Sequence, residues 1–385
     1  MNVLTRPTTE RAVFSAEHAL YRDQVRRFIA SEITPHHMQW ERDGIVPRSV
    51  WREAGRQGLL CGSVPEQYGG ADADFGFAAV MMEELTRAST SGIGFPLHSD
   101  IVAPYILRYG NEAQRQEWLP RMARGEIIGA IAMTEPGTGS DLKSVRTSAR
   151  RDGDSYVLDG SKTFITNGSN AGIVIVVVKT DPAAGRKGIS LICVEEGTPG
   201  FTKGRNLEKI GLLAQDTAEL FFDGCRVPAA NLLGEEGLGF RYLMHELAQE
   251  RLMIALRAAT SMETMLDLTI DYTRDRRAFG GTVFDFQNTR FKLAAAKAEC
   301  EMYRVFADHC LALHLRGELT PERAAMAKLT GTEMQGRLLD DFLQLHGGYG
   351  FMREYPIARA WTDARVMRIY GGSSEIMKEI IARGL

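Results

Sequence analysis

Apolar residues recur three and four positions apart through the first part of the chain and again through the last, and between them the pattern changes to short β-branched runs. Within residues 15–124, Tyr21-Arg22-Asp23-Gln24-Val25-Arg26-Arg27-Phe28-Ile29 and Phe77-Ala78-Ala79-Val80-Met81-Met82-Glu83-Glu84-Leu85 keep the helical period. Gly58, Gly69-Gly70 and Gly110 punctuate it. Across 127–233, Tyr156-Val157-Leu158-Asp159-Gly160, Ile173-Val174-Ile175-Val176-Val177-Val178 and Leu220-Phe221-Phe222 lie between Gly, Asp and Pro turns, which predicts a small antiparallel barrel or sandwich. Beyond Gly239 the stretches 241–274 and 289–316 contain neither Pro nor Gly and keep helical spacing, as the long helices of an antiparallel bundle do. The order predicts an α+β multidomain chain. Its parts are an all-α domain over residues 1–125, a β-barrel or sandwich domain over 126–235 and a four-helix-bundle domain over 236–385.

Size and charge narrow the field. The 385 residues are 44% hydrophobic and 25% charged, enough apolar mass for two or three domains with sizeable cores. A formal charge of −3 gives no overall basic field, which argues against nucleic acid and anionic membranes as partners. No apolar segment approaches the length of a membrane span. An anionic ligand then needs a local basic site. Cys61, Cys193, Cys225, Cys300 and Cys310 are scattered and odd in number, without C-x-x-C spacing, the usage of reduced thiols in a cytosol-like compartment. The first residues, Met1-Asn2-Val3-Leu4-Thr5-Arg6-Pro7, lack an apolar signal core, which points to a mature cytoplasmic form.

Common catalytic signatures are absent. The chain has no G-x-S-x-G, H-E-x-x-H or Walker A loop, and Gly234-Glu235-Glu236-Gly237-Leu238-Gly239 lacks the glycine spacing of a dinucleotide fingerprint. What remains is Ala132-Met133-Thr134-Glu135-Pro136-Gly137-Thr138-Gly139-Ser140-Asp141-Leu142. This loop leaves a strand-like run and offers backbone N–H and hydroxyl donors to an anionic or carbonyl-rich ligand.

Taken with Phe164-Ile165-Thr166-Asn167-Gly168, Arg276-Arg277-Ala278-Phe279-Gly280, Gln344-Leu345-His346-Gly347-Gly348 and Ile369-Tyr370-Gly371-Gly372-Ser373-Ser374-Glu375-Ile376, that loop resembles the acyl-CoA dehydrogenase flavoprotein family. The resemblance runs in order from about Phe14 to Leu385, and Gln249-Glu250-Arg251-Leu252 is most similar to the long-chain branch. It implies that Ile131, Met133, Thr134, Gly139, Ser140, Phe164, Ile165 and Thr166 wrap the flavin ring of FAD. It further implies that Arg276, Phe279, Gln287, Gln344, Gly347 and Gly348 hold the pyrophosphate and adenine across a dimer interface, and that Ser373 and Glu375 also serve the cofactor. The residue types suit those roles. An aromatic face at Phe164 can stack on a ring, Thr166 can hydrogen-bond its edge, and an always-charged, forked arginine suits a pyrophosphate. A homodimer, usually a dimer of dimers, and electron transfer to an electron-transferring flavoprotein follow from the same resemblance.

The family's reaction is α,β-dehydrogenation of an acyl-CoA thioester to a trans-2-enoyl-CoA, which needs a base of raised pKa in a dry pocket and donors on the thioester oxygen. Many members carry the base as a Glu directly after the Tyr of the last motif. Here that position is Gly371, and Glu250 matches the alternative position on a long C-terminal helix. The resemblance thus implies Glu250 as general base and the Gly371 N–H as oxyanion donor, with Ser140, Arg251, Tyr370, Gly371 and Gly372 at the substrate. Without it, a helical Glu beside an Arg reads as a solvated surface pair.

Departures bear on specificity: Ser373 replaces a common Thr, Ala248 a common Pro, and Arg241 a frequent aromatic. Three alternatives remain open: a same-fold oxidase or hydroxylase, a secondary-metabolism dehydrogenase on an unusual or carrier-bound acyl group, and a non-catalytic flavin-binding protein. Met81-Met82, Met262 and Met265 read as core packing, His36-His37 as no metal site, and Cys225 as an incidental residue of the turn Asp223-Gly224-Cys225-Arg226-Val227-Pro228.

Overall fold

Ser15 starts the first helix. Its hydroxyl accepts the His18 N–H at 3.4 Å while His18 Nδ1 accepts the Ser15 N–H at 3.0 Å, a reciprocal cap that satisfies two otherwise unpaired amides. The computed structural model describes residues 11–385, so the segment Met1-Asn2-Val3-Leu4-Thr5-Arg6-Pro7 lies outside the described residues. The N-terminal helices are α1 (Ala16–Phe28), α2 (His37–Asp43), α3 (Arg48–Arg56), α4 (Phe75–Arg87), α5 (Phe95–Leu97), α6 (Ala103–Tyr109) and α7 (Glu112–Ala123). A π-helical turn, His98–Val102, joins α5 to α6.

A seven-stranded sheet follows: β1 (Ile128–Ala132), β2 (Ser148–Asp152), β3 (Ser155–Thr166), β4 (Ala171–Lys179), β5 (Ile189–Glu195), β6 (Phe201–Asn206) and β7 (Thr217–Pro228). Its order is β1-β4-β2-β3-β7-β6, with β5 also on β4. The sheet is mixed and not antiparallel throughout, because β1 runs parallel to β4 with Ile131 opposite Ile175. The apolar run in β4 has a simple cause. Ile173, Ile175 and Val177 pack into the core of the N-terminal helices, while Val174, Val176 and Val178 pack into the β-domain core. Cys225 is also corrected: it lies within β7, paired with Leu158 and buried, not in a turn.

The C-terminal part comprises α8 (Gly239–Asp275), a short hairpin of β8 (Arg277–Ala278) and β9 (Gly281–Thr282), α9 (Gln287–Leu315), α10 (Pro321–His346), α11 (Pro356–Ala364) and α12 (Ser374–Ala382). The three long helices share a core that includes Leu252, Leu256, Met262, Met265 and Leu339. Helix α4 joins two cores, sending Met81 and Leu85 into the N-terminal core and Ala79 and Met82 into the C-terminal one. Between those faces lie the fully buried carboxylates Glu83 and Glu84. Arg11, Arg22 and Arg304 meet Glu83, while Arg22 and Arg26 meet Glu84. All five cysteines are free and buried. His37 bonds the Ser91 carbonyl at 2.7 Å.

Candidate active site

Glu250 lies on the fourth turn of α8 and is only 9% exposed. Burial pushes its carboxyl up to about 7, the charge of Glu246 one turn earlier adds to that, and Arg251 and a Tyr105 hydrogen bond oppose it. The Tyr105 hydroxyl donates to Glu250 Oε1 at 3.4 Å. Glu246 is itself held by Arg108 at 2.5 Å and the Tyr109 hydroxyl at 2.7 Å. A solvated surface pair is therefore the wrong description of this acid.

The glycine turn after Tyr370 packs on the same part of α8. Arg251, which follows Glu250, is turned inward and its Nε donates to the Gly371 carbonyl at 3.3 Å. A Cβ at Gly371 would stand 2.8 Å from Cδ1 of Ile254, one turn beyond Glu250, and the residue holds φ at +64°. Both facts favour glycine there. Lys328 of α10 donates to the Gly372 carbonyl. Among the described residues no acceptor meets the Gly371 N–H. Ser373 caps α12 through its hydroxyl, Glu375 is exposed in the first turn of that helix, and Tyr370 is half-buried.

The loop after β1 folds back on β3 through a buried ion pair. The Glu135 carboxylate accepts from Lys162 Nζ at 2.9 Å and from the Arg146 and Thr147 amides at 2.6 and 2.8 Å, and Lys162 also reaches the Met133 carbonyl. Burial works against the Glu135 charge, but Lys162 and Thr147 outweigh it and hold the carboxyl below its ordinary range. The outer part of the loop stays open: Gly139 and Ser140 are exposed, and a Cβ at Gly137 or Gly139 would touch nothing within 4 Å. On β3 the pairing with β7 shifts between Lys162 and Ile165, and at this irregularity Phe164 adopts φ +59° and is 67% exposed. Ile165 sends its side chain into the β-domain core. Ile131 and Met133 pack against the N-terminal core.

The π-helical turn ties these two groups together. On one side His98 Nδ1 accepts the Gly129 N–H of β1 at 2.9 Å. On the other, the Asp100 carbonyl accepts from Gln249 Nε2, beside Glu250, at 2.6 Å. Pro104, four residues on, has no N–H with which to make the ordinary α-helical bond to that carbonyl.

A second cluster stands apart. The Arg276 guanidinium lies 5.5 Å from the Tyr349 ring centroid, and Tyr272 stacks on His346 and donates to its carbonyl at 3.0 Å, which brings Arg276 and the Gly347-Gly348 turn together. Phe279 is 96% exposed with φ +50°, Gln287 and Gln344 are exposed, and a Cβ at Gly347 or Gly348 would meet open space. Among the described residues this cluster makes no hydrogen bond or ring contact with Glu250, Gly371 or Phe164. Sequence reasoning missed Tyr105 and Lys328. A tyrosine in an apolar helix reads as core, and a lysine in a long helix as a solvated charge.

A buried basic carboxylate against a glycine turn, joined through one helix to an open strand-end loop, defines a site for proton abstraction away from water. The models for the acyl-CoA dehydrogenase N-terminal, middle and C-terminal domains match residues 15–126, 130–225 and 237–385. The chain belongs to the acyl-CoA dehydrogenase family. It is 52% identical over 375 residues to the mitochondrial long-chain specific acyl-CoA dehydrogenase of Sus scrofa, covering 97% of this chain and 87% of that protein. The crystal structure of an acyl-CoA dehydrogenase from Geobacillus kaustophilus superposes with a TM-score of 0.95 at 50% identity, covering 98% of this chain and 99% of the other. A glutaryl-CoA dehydrogenase from Mycobacterium smegmatis in complex with FADH2 superposes with a TM-score of 0.88 at 30% identity, covering 97% and 95%.

Proposed function

We propose that this chain is an FAD-dependent acyl-CoA dehydrogenase in which Glu250 removes the α-proton of the thioester and the Gly371 N–H binds its carbonyl oxygen. One observation carries the assignment: the carboxyl raised to about 7 is buried on the stretch of α8 that packs against Gly371, a residue with no base of its own.

FAD fits the loop and strand end on the chemistry present. The hydroxyls of Thr134, Ser140 and Thr166 engage no protein group among the described residues. Phe164 holds an aromatic ring outward in a left-handed conformation that is costly for such a residue, a strain that a stacked ring would justify. The glutaryl-CoA dehydrogenase that bears FADH2 shares this fold. Bound FAD would supply the two-electron acceptor for the β-hydrogen of the substrate, whose loss together with the α-proton gives a trans-2-enoyl-CoA.

The residues do the rest. Burial keeps water from Glu250 and raises its basicity, so the carboxylate present near neutral pH is a competent base. As the α-proton departs, negative charge grows on the thioester oxygen, where a prepositioned amide at Gly371 is worth more than in water. Arg276 with the Gly347-Gly348 turn suits a pyrophosphate. The exposed Phe279 and Phe351 support a second copy of the chain covering that cluster, within a dimer of dimers. Electron-transferring flavoprotein is the proposed acceptor. Among the described residues no helix is long and apolar enough to cross a membrane, and the free buried thiols support a reducing, cytoplasmic location.

Anaerobic titration of the purified flavoprotein with saturated, branched and aromatic acyl-CoAs tests the function. The oxidised-flavin absorbance should bleach with at least one class, and failure with all of them overturns it. Hydrogen peroxide formation outpacing dye reduction in air would move the chain to the oxidases.

Tyr105 gives a pH test. Its hydrogen bond favours the Glu250 carboxylate and so lowers the pKa; Tyr105→Phe removes it and raises the pKa. Since only the ionised form is active, the acidic limb of kcat/KM should move to higher pH by about half a unit. A limb that stays fixed or moves down refutes the contact.

A further inference from the structure

Two buried cations converge on the turn that carries Gly371. Arg251 and Lys328 are 5% and 1% exposed, and among the described residues neither pairs with a carboxylate within 4.0 Å. A buried charge without a paired counter-ion is costly; the charge of Glu250 supports Arg251, and Lys328 has no such support. Here both are spent on backbone. Arg251 donates from α8 to the Gly371 carbonyl at 3.3 Å, and Lys328 donates from α10 to the Gly372 carbonyl. The methylene stem of Lys328 also lies against the turn, with Cε 3.8 Å from where a Gly371 Cβ would be.

We propose that Arg251 and Lys328 are positioning residues that clamp the two carbonyls of the glycine turn and so hold Gly371 with its N–H toward the thioester oxygen. The inference rests on the reading of Gly371 as an oxyanion donor. The clamped carbonyls lie on the peptides that follow Gly371 and Gly372, so the clamps fix the chain immediately after the Gly371 N–H and keep that residue from swinging about its own φ and ψ. Glycines at φ +64° and +97° have no side chain to hold such a turn in place, so the orientation must come from outside the segment. The two cations also place positive potential beside a developing oxyanion. Burial and the nearby Arg251 push Lys328 down to about 8, consistent with an ammonium that has no carboxylate to support it.

The test uses the flavin-loaded enzyme with a bound trans-2-enoyl-CoA carrying 13C at the thioester carbonyl, read by isotope-difference infrared spectroscopy. A donor on the oxygen weakens the C=O bond and lowers its stretching frequency relative to the free ligand. The wild type should show this downshift. Lys328→Met should lose most of it and lower kcat by about 100-fold with little change in KM, as expected for a small misplacement of a catalytic donor. Lys328→Arg, which keeps a charged donor, should restore most of both. If the wild type shows no downshift, the Gly371 reading falls and the clamp with it. If the wild type shows it and Lys328→Met retains it in full, the clamp alone is overturned. Should Lys328→Met fail to accumulate as folded flavoprotein, Arg251→Lys carries the same readout, and an unchanged frequency there overturns the clamp.

Discussion

Glu250→Gln should bind FAD, keep its fold and lose turnover by about 10²- to 10⁴-fold. The amide occupies the volume of the carboxylate and can still accept from Tyr105, so packing on α8 is preserved; what disappears is a group able to take a proton near pH 7. No neighbour can replace it. Gly371 has no side chain, and Glu246 is already engaged by Arg108 and Tyr109. Anaerobic stopped-flow measurement of flavin reduction by acyl-CoA reads the proton-abstraction step directly. A near-wild-type rate in this variant would sink the assignment of the base.

The second large effect is on stability. Glu83→Gln should destabilise the protein by about 3–5 kcal/mol, because it removes the acid that balances several buried guanidiniums. Arg11 reaches Glu83 at 2.6 Å, Arg22 at 3.1 Å and Arg304 at 3.3 Å, and the acid is fully buried. Burial opposes its charge, but Arg11, Arg304 and Arg22 outweigh that and hold the carboxyl at about 2. Since this pKa is depressed in the folded state, the stabilisation is complete above the unfolded value of 4.5 and is lost as pH falls toward 2. Urea denaturation across pH 2–7 checks both points. A variant within about 1 kcal/mol of wild type at pH 7, or one with the wild-type acid sensitivity, contradicts the assignment.

Helical, β and helical regions were legible because period and breaker residues report local geometry. Strand direction was not. The six apolar residues from Ile173 to Val178 reveal burial on both faces, yet nothing in them says that β1 runs parallel alongside, since that pairing depends on how distant segments cross. Cys225 was misplaced for a related reason: a Gly beside an Asp reads as a turn, but here Gly224 accommodates a register shift within one continuous strand. In the site, Glu250 was legible only through the glycine at 371, since its immediate neighbours describe a solvated helix face. Tyr105, Lys328 and the Glu83 network depend on packing between helices far apart in sequence, and a residue's own neighbours carry no trace of that.

The carbonyl of Asp100 carries a last consequence. Pro104 offers it no i+4 N–H, and Gln249 Nε2 of another domain donates to it. If the N-terminal and C-terminal domains were to part at this seam, the Asp100 carbonyl and the Gln249 amide would exchange this bond for bonds to water, a net loss of about 1 kcal/mol. The side chain next to the base therefore acts as a latch at a distance, resisting the separation of the segment that carries Tyr105 from the helix that carries Glu250.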